Sequence, residues 1–364
     1  MTLISDPFGG KALIFLHQSR SAGLAVCAIL QEEFGLEAAF KIGGVADGEH
    51  VSYDAFRATA ATDTYPVYMG HFFYGAHRHV PRPCVYFTML RDPVDRLLSR
   101  YERTCALKGE RLDCAKWLAG DDESHDGMVR CLCGPGHMED DPEPFDFVND
   151  RPVAPDMATS SGHYEQAVNT LETHFSSVLM QERFVKSMVE LQRTLGCGPL
   201  FSLNRQVLSD GRATAARERY PEAVIRQIED QNVYDRRLYD RYRSRFDAAI
   251  AARGPAFDEE VRIMRMVAAI LTEPGLPVMP SDRAYTRVGS AVDLLEQRGE
   301  VADAVEVLKR FNAKRYVERD FILGALAFIK RHGFNDDLKH EIERYCGRFG
   351  DDDYIHPFLA GARP

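Results

Sequence analysis

Five apolar residues in a row, Ala12 to Leu16, run into the polar loop His17-Gln18-Ser19-Arg20-Ser21-Ala22-Gly23 and then into a helix-like stretch, Leu24 to Leu30. Nothing else in the chain restricts its folding as much. An unbroken apolar run of this length reads as a strand covered on both faces, the mark of a parallel sheet between layers of helices. Similar units recur at 66–70 (PVYMG), 84–90 (CVYFTML) and 177–181 (SVLMQ), each short, apolar and followed by a loop or helix. The expected class is therefore α/β, a parallel sheet flanked by helices. Ligands of such sheets sit where strand C-termini meet helix N-termini.

The opening strand, loop and helix are P-loop-like in order, the arrangement that turns backbone N–H groups and a helix N-terminus toward a phosphate. They contain no G-x-x-x-x-G-K-[ST], so ATP and GTP hydrolysis are poor expectations. The loop keeps one cation, Arg20, one adjoining hydroxyl, Ser21, and two small residues, Ala22 and Gly23. A second stretch, 84–103, reads CVYFTMLRDPVDRLLSRYER. Its strand ends at Arg91, with Asp92 as N-cap and Pro93 as first helical residue. Val94, Leu97, Leu98 and Tyr101 form a core-facing stripe. Ser99 lies off that stripe, so Arg91 and Ser99 are placed to face one space, as a guanidinium and a hydroxyl holding a phosphate monoester do. Arg96, Arg100 and Arg103 are expected in solvent.

These stretches carry a resemblance. Thr88 to Tyr101 is similar to the T-M-L-R-D-P-V-x-R-x-x-S-x-Y motif of the PAPS-dependent sulfotransferases, in particular the carbohydrate and heparan-sulfate 2-O-type branch and its bacterial relatives. The first loop resembles their F-x-H-I-P-K-T-G-G-T-S. Gly70 to Gly75 (GHFFYG) resembles their G-H-x-x-[FY]-G, and MVRCLCG (128–134), LETHFSSVLMQERFVKSM (171–188) and NVYDRRLYDRYRSRF (232–246) resemble weaker patterns. The likeness spans roughly 11–250.

The resemblance implies transfer of a sulfuryl group from 3′-phosphoadenosine 5′-phosphosulfate (PAPS) to a hydroxyl, leaving adenosine 3′,5′-bisphosphate (PAP). Ser21, Ala22, Gly23, Leu24 and Ala25 would offer N–H groups to the 5′-phosphate, while Arg91 and Ser99 would hold the 3′-phosphate. His71 is the expected base, since an imidazole with an ordinary pKa near ~6.5 takes up a proton at neutral pH. His17 is assigned a structural role. Arg20 stands where the family has Lys, and is expected to stabilise the leaving phosphate by charge. Ser19 replaces a Pro, and Leu24 and Ala25 replace two hydroxyl residues, each lost contact costing ~1.5–3 kcal/mol against a charged group. The alternative this raises is a catalytically degenerate sulfotransferase fold used for binding or as a scaffold. A third reading, a P-loop kinase or other nucleotidase, lacks the Walker lysine.

The acceptor is expected to be a sugar or glycosylated small molecule, and its contacts to come from an insertion at about 103–165, acidic and Pro-rich in part (Gly120 to Glu123, Glu139 to Pro144). Arg130 is one such contact or a structural ion pair. A net charge of −10 argues against nucleic acid as the partner. No apolar run reaches the ~18–20 residues of a membrane helix. The N-terminus has no basic, apolar leader pattern, so a cytoplasmic location is expected. The eight cysteines make no C-x-x-C pair and read as free thiols, Cys105 and Cys114 being the one pair that an oxidising compartment could bridge. No histidine spacing suggests a metal, and none is expected in the chemistry.

The sulfotransferase-like domain is read as 1–252 and an all-helical extension as 253–364. In the extension Ala291, Leu294, Leu295, Gly299, Leu308 and Phe311 recur 34 residues later as Ala325, Phe328, Ile329, Gly333, Ile342 and Tyr345. The spacing is that of tetratricopeptide-type hairpins, and the alternatives are two unrelated helix pairs or a stack for protein contacts or self-association.

Overall fold

The computed structural model describes residues 10–34, 39–42, 45–46, 49–50, 53–62, 65–121, 124–133, 159–196, 217–271, 284–313, 317 and 319–359. The acidic, Pro-rich segment Glu139 to Pro144, and Cys197, lie outside them. The chain divides into two compact units, one of 1–31, 35–187 and 209–254, the other of 32–34, 188–208 and 255–364.

The first unit is built on β1 (Ala12–Leu16), β2 (Ala39–Ile42), β5 (Val67–Gly70), β6 (Cys84–Leu90) and β7 (Phe175–Met180), with a small hairpin of β3 (Val45–Ala46) and β4 (Glu49–His50). The five strands form one sheet in the order β2-β5-β1-β6-β7, every pair parallel. All of β1 is fully buried, as a strand with neighbours on both edges and helices on both faces must be. The chain leaves β1 for the β2 edge, returns through β5, and crosses to β6 and β7 on the other side. The C-terminal end of β1, between β5 and β6, is therefore a topological switch point, where open α/β sheets bind ligands.

Helices follow the strands: α1 (Gly23–Phe34), α2 (Tyr53–Ala60), α3 (Pro93–Lys108), α4 (Cys114–Gly120), α5 (Gly127–Cys133), α6 (Ser161–His174), α7 (Phe184–Leu195), α8 (Glu222–Gln231) and α9 (Val233–Ala251). The expected stripe of α3 is buried. Val94, Leu97, Leu98 and Tyr101 pack with Leu118 of α4 and with Tyr220, Val224 and Ile228 of α8 and its approach. Gly109 closes α3 in a left-handed conformation and donates its N–H to Cys105 O. The described residues of the span 103–165 are more regular than its composition suggests, because α3 continues to Lys108 and α4, α5 and the start of α6 fall within it. The seven described cysteines are free thiols.

The second unit contains α7 from Met188 onward, α10 (Pro255–Leu271), α11 (Ala284–Gln297), α12 (Val301–Asn312), α13 (Arg319–Arg331) and α14 (Asn335–Phe349). The 34-residue recurrence has a structural counterpart. Glu300 N donates to Leu295 O at 2.8 Å, and Phe334 N donates to Ile329 O at 3.2 Å. Gly299 and Gly333 hold φ of 78° and 77° at the two turns, a conformation that costs glycine little.

Candidate functional site

Three loops leave the same edge of the sheet because the strands are parallel. Leu16 is paired with Gly70 on one side and with Thr88 on the other. His17 N donates to Gly70 O at 2.9 Å, and Thr88 Oγ1 donates to Leu16 O at 2.7 Å. The ends of β5, β1 and β6 thus sit level, and they deliver His71, the loop 17–22, and Arg91.

The loop turns on unusual backbone. Arg20 (φ 62°) and Ala22 (φ 56°) lie in the left-handed region without being glycine, a conformation costing about 1–3 kcal/mol each. Gly23 opens α1 for a steric reason: a Cβ there would lie 1.7 Å from His17 Nε2. Ser21 is fully buried, and its Oγ and the Gln18 Nε2 are buried without a hydrogen-bond partner. Ser21 N donates to Gln18 O at 3.2 Å, and Ala25 N to Ala22 O at 3.0 Å. Two of the five expected phosphate donors therefore already have backbone acceptors. Leu24 is exposed, at 66%.

On the β5 side, the His17 and His71 rings stack with centroids 4.0 Å apart, and Phe15 stacks with His17 at 5.6 Å. His17 is buried, consistent with the structural role assigned to it. His71 Nδ1 is 3.1 Å from His17 O. A carbonyl oxygen only accepts, so Nδ1 carries the proton in this bond, and in the neutral imidazole the lone pair is then on Nε2. The loop bearing His71 is tied to α5: Tyr74 N donates to Cys131 O at 2.9 Å, and Cys131 Sγ donates to Phe72 O at 3.3 Å. GHFFYG and MVRCLCG, separate in sequence, are one packed unit.

On the β6 side, the arginines gather. Arg20 donates from Nε and Nη2 to Ser99 Oγ at 3.1 and 3.0 Å, and Arg91 Nη1 donates to Arg20 O at 2.9 Å. Arg20, Arg91 and Ser99 are thus brought together. Arg100 donates from Nη1 to Ser19 Oγ at 3.5 Å and from Nε to both Asp121 oxygens. Burial, and after it repulsion from Arg91, Arg103 and Arg100, holds the Arg20 guanidinium below its ordinary pKa. Burial lowers Arg91 as well, against the pull of Asp95, Glu182 and Asp92. Crowded cations of this kind are an anion-binding arrangement.

A second layer fixes α3. Asp92 caps it, accepting from Val94 N at 3.0 Å and Asp95 N at 3.3 Å. It also accepts from Arg236 Nη1 at 2.6 Å and pairs with Arg217, which donates from Nε to Asp95 at 2.8 Å. Burial acts to raise the Asp92 pKa, but Arg236 and Arg217 outweigh it and hold the carboxyl below its usual value. Asp92 N donates to Glu182 Oε1 at 2.9 Å.

The expectation that Arg96 is solvated is overturned. Arg96 is 1% exposed and faces Asp235, itself fully buried, at 3.5 Å. Asp235 accepts from Met128 N and Val129 N at 3.0 and 2.8 Å and so caps α5. Asp126 accepts from Asp235 N at 2.8 Å. Arg100 is corrected in part, since it is half-buried on Asp121. Arg103 is exposed, and the charge of Arg130 acts on Asp126 and Asp235. Sequence reasoning also missed Glu182, whose signal was its place just after an apolar run, as Arg91 follows its own.

No family model matches the chain, and no curated protein matches it. Among the described residues, no group of three or more His, Cys, Asp or Glu could hold a metal ion, and no helix is long and apolar enough to cross a membrane.

Proposed function

We propose that the chain is a sulfotransferase that moves a sulfuryl group from PAPS to a hydroxyl of a sugar or glycosylated small molecule. The observation that carries this reading is the placing of His71 on one side of the β1 loop and of Arg91, Arg20 and Ser99 on the other. The two sides are separated by two strand spacings, roughly 10 Å. Such a separation suits a donor that carries its reactive phosphosulfate and its second phosphate at opposite ends of a ribose. The buried, mutually repelling guanidiniums support the same reading, because a bound anion relieves their repulsion.

In this scheme His71 Nε2 takes the acceptor hydroxyl proton as the acceptor oxygen bonds to sulfur. The bond from sulfur to the 5′-phosphate oxygen breaks, and its electron pair leaves on the phosphate of PAP. The Nδ1–H bond to His17 O supports this role: it keeps the lone pair on Nε2 and stabilises the imidazolium that forms.

A titration calorimetry series with PAP, and with AMP and ATP as controls, tests the reading. The expected result is binding that depends on the 3′-phosphate, followed by turnover in an acceptor screen with PAPS. Equal binding of PAP and AMP, or a preference for ATP, overturns it. A second reading, nucleotide binding without transfer, is favoured by the Arg20–Ser99 bonds and the missing hydroxyls at Leu24 and Ala25. It predicts PAP binding with no turnover on any acceptor.

A further inference from the structure

Arg20 is the residue at which this chain departs most from the pattern it resembles, and its side chain does not run along the loop toward His71. Its guanidinium presents the Nε/Nη2 edge to Ser99 Oγ, at 3.1 and 3.0 Å, in the second turn of α3. Its main-chain oxygen is held by Arg91 Nη1 at 2.9 Å. The left-handed φ of 62° at Arg20 carries the side chain across to α3. The two residues that Arg20 engages here, Arg91 and Ser99, are those read as the 3′-phosphate site.

We infer that Arg20 is a specificity-determining residue that reads the 3′-phosphate together with Arg91 and Ser99, instead of neutralising the leaving 5′-phosphate. The inference rests on the PAPS reading given above. The Nε/Nη2 edge of a guanidinium is the one that makes parallel bonds to two oxygens of a phosphate. In the structure that edge rests on the Ser99 hydroxyl oxygen. With a 3′-phosphate present, Arg20 exchanges this acceptor for a charged one, and the Ser99 O–H, released from accepting two donors, can itself donate to the phosphate. The Arg20–Ser99 bonds carry charge on the donor alone, whereas bonds to a phosphate carry opposite charges on the two partners and can be bidentate, so the exchange favours binding. Lysine, a point charge on a flexible stem, cannot make the parallel pair. The leaving phosphate then has the backbone N–H groups at the start of α1 for stabilisation, without the Arg20 side chain.

The test is a set of dissociation constants for PAP and AMP on the full chain, wild type, Arg20→Lys, Ser99→Ala and the double variant. Wild type is expected to prefer PAP. Arg20→Lys is expected to cut that preference about tenfold or more, the loss of one bond to a charged group, and to leave AMP affinity unchanged. Ser99→Ala is expected to lower the preference too, and the double variant to lose less than the two single losses combined, because the residues share one site. Ser99→Ala leaves the strained backbone at position 20 intact, so it reports on the shared site even where a position-20 variant folds poorly. If Arg20→Lys weakens PAP and AMP by the same factor, Arg20 serves the 5′ end and the inference fails while the PAPS reading stands. If wild type binds PAP and AMP equally, the PAPS reading itself fails.

Discussion

His71 depends on its neighbour for the form it takes. The His17 carbonyl selects the Nδ1–H tautomer, and the stacked His17 ring limits how far the imidazole can tilt. His71→Ala is therefore expected to lower kcat by about 10²–10⁴-fold, the usual worth of a positioned base, with PAP affinity unchanged. Parallel measurement of turnover and PAP binding checks this, and a variant that keeps full turnover sends the base elsewhere. Arg91 holds Arg20 O, and in the proposed reading it also faces the 3′-phosphate. Arg91→Ala is accordingly expected to remove the preference for PAP over AMP altogether, a larger loss than from Arg20→Lys. Gly23 makes a prediction about stability instead. A methyl group 1.7 Å from His17 Nε2 forces the ring or the helix start to move, so Gly23→Ala should destabilise the protein by ~1–3 kcal/mol, as overpacking does, and lower its melting temperature.

At the scale of elements, α3 and α5 are held by buried charge, and two carboxylates beside them, Asp92 before α3 and Asp126 before α5, respond to pH in opposite directions. Asp92 is held low by Arg236 and Arg217 despite burial. Its contribution to stability is present above the ordinary carboxylate range and is lost as pH falls through its depressed pKa. Asp126 is pushed up to about 7 by burial and by Asp235. Between the ordinary carboxylate range and pH 7 the folded chain keeps a proton there that the unfolded chain has released. The contribution of this group therefore declines as pH rises through 7. Asp126→Asn should keep the bond from Asp235 N, tolerate φ 49° as Asn does, and flatten the fall in unfolding free energy between pH 5 and pH 8. Urea unfolding at the two pH values reads this, and an unchanged slope in the variant would place the titration on another group.

The same elements show what local sequence can and cannot carry. β1 and β6 were legible to the residue because a strand buried on both faces is apolar nearly throughout, Thr88 of β6 being the exception. β7 begins at Phe175, two residues before the expected start, because α6 passes into it at His174–Phe175 with no turn residue between. β2 was not read, since among the described residues it pairs with β5 alone and its four residues include Lys41. Arg96 was misread because its partner Asp235 lies far along the chain, and no helical spacing reveals a distant carboxylate. That Arg91 and Ser99 come together was legible in the spacing, whereas the bonds from Arg20 to Ser99 belong to tertiary structure alone.

At the scale of the whole molecule, each compact unit has its own buried apolar set, and the residues that would meet the nucleotide belong to the first. Ligand binding stabilises what must be folded to bind it, by a factor of 1 + [L]/Kd in the opening equilibrium. At a PAP concentration 100 times Kd, amides that exchange only when the first unit opens, those of β1, β5 and β6, should exchange about 100-fold more slowly. Amides of α12, α13 and α14 are held by a different core, in which Leu295, Ile329 and Tyr345 are fully buried, and their exchange should not change. Hydrogen exchange with and without PAP separates the outcomes. Slowing confined to the sheet assigns the nucleotide to the first unit and makes the helical unit an independent cooperative body. Equal slowing in both would mean that the two units open together, and an unchanged sheet would remove the nucleotide from the switch point beside β1.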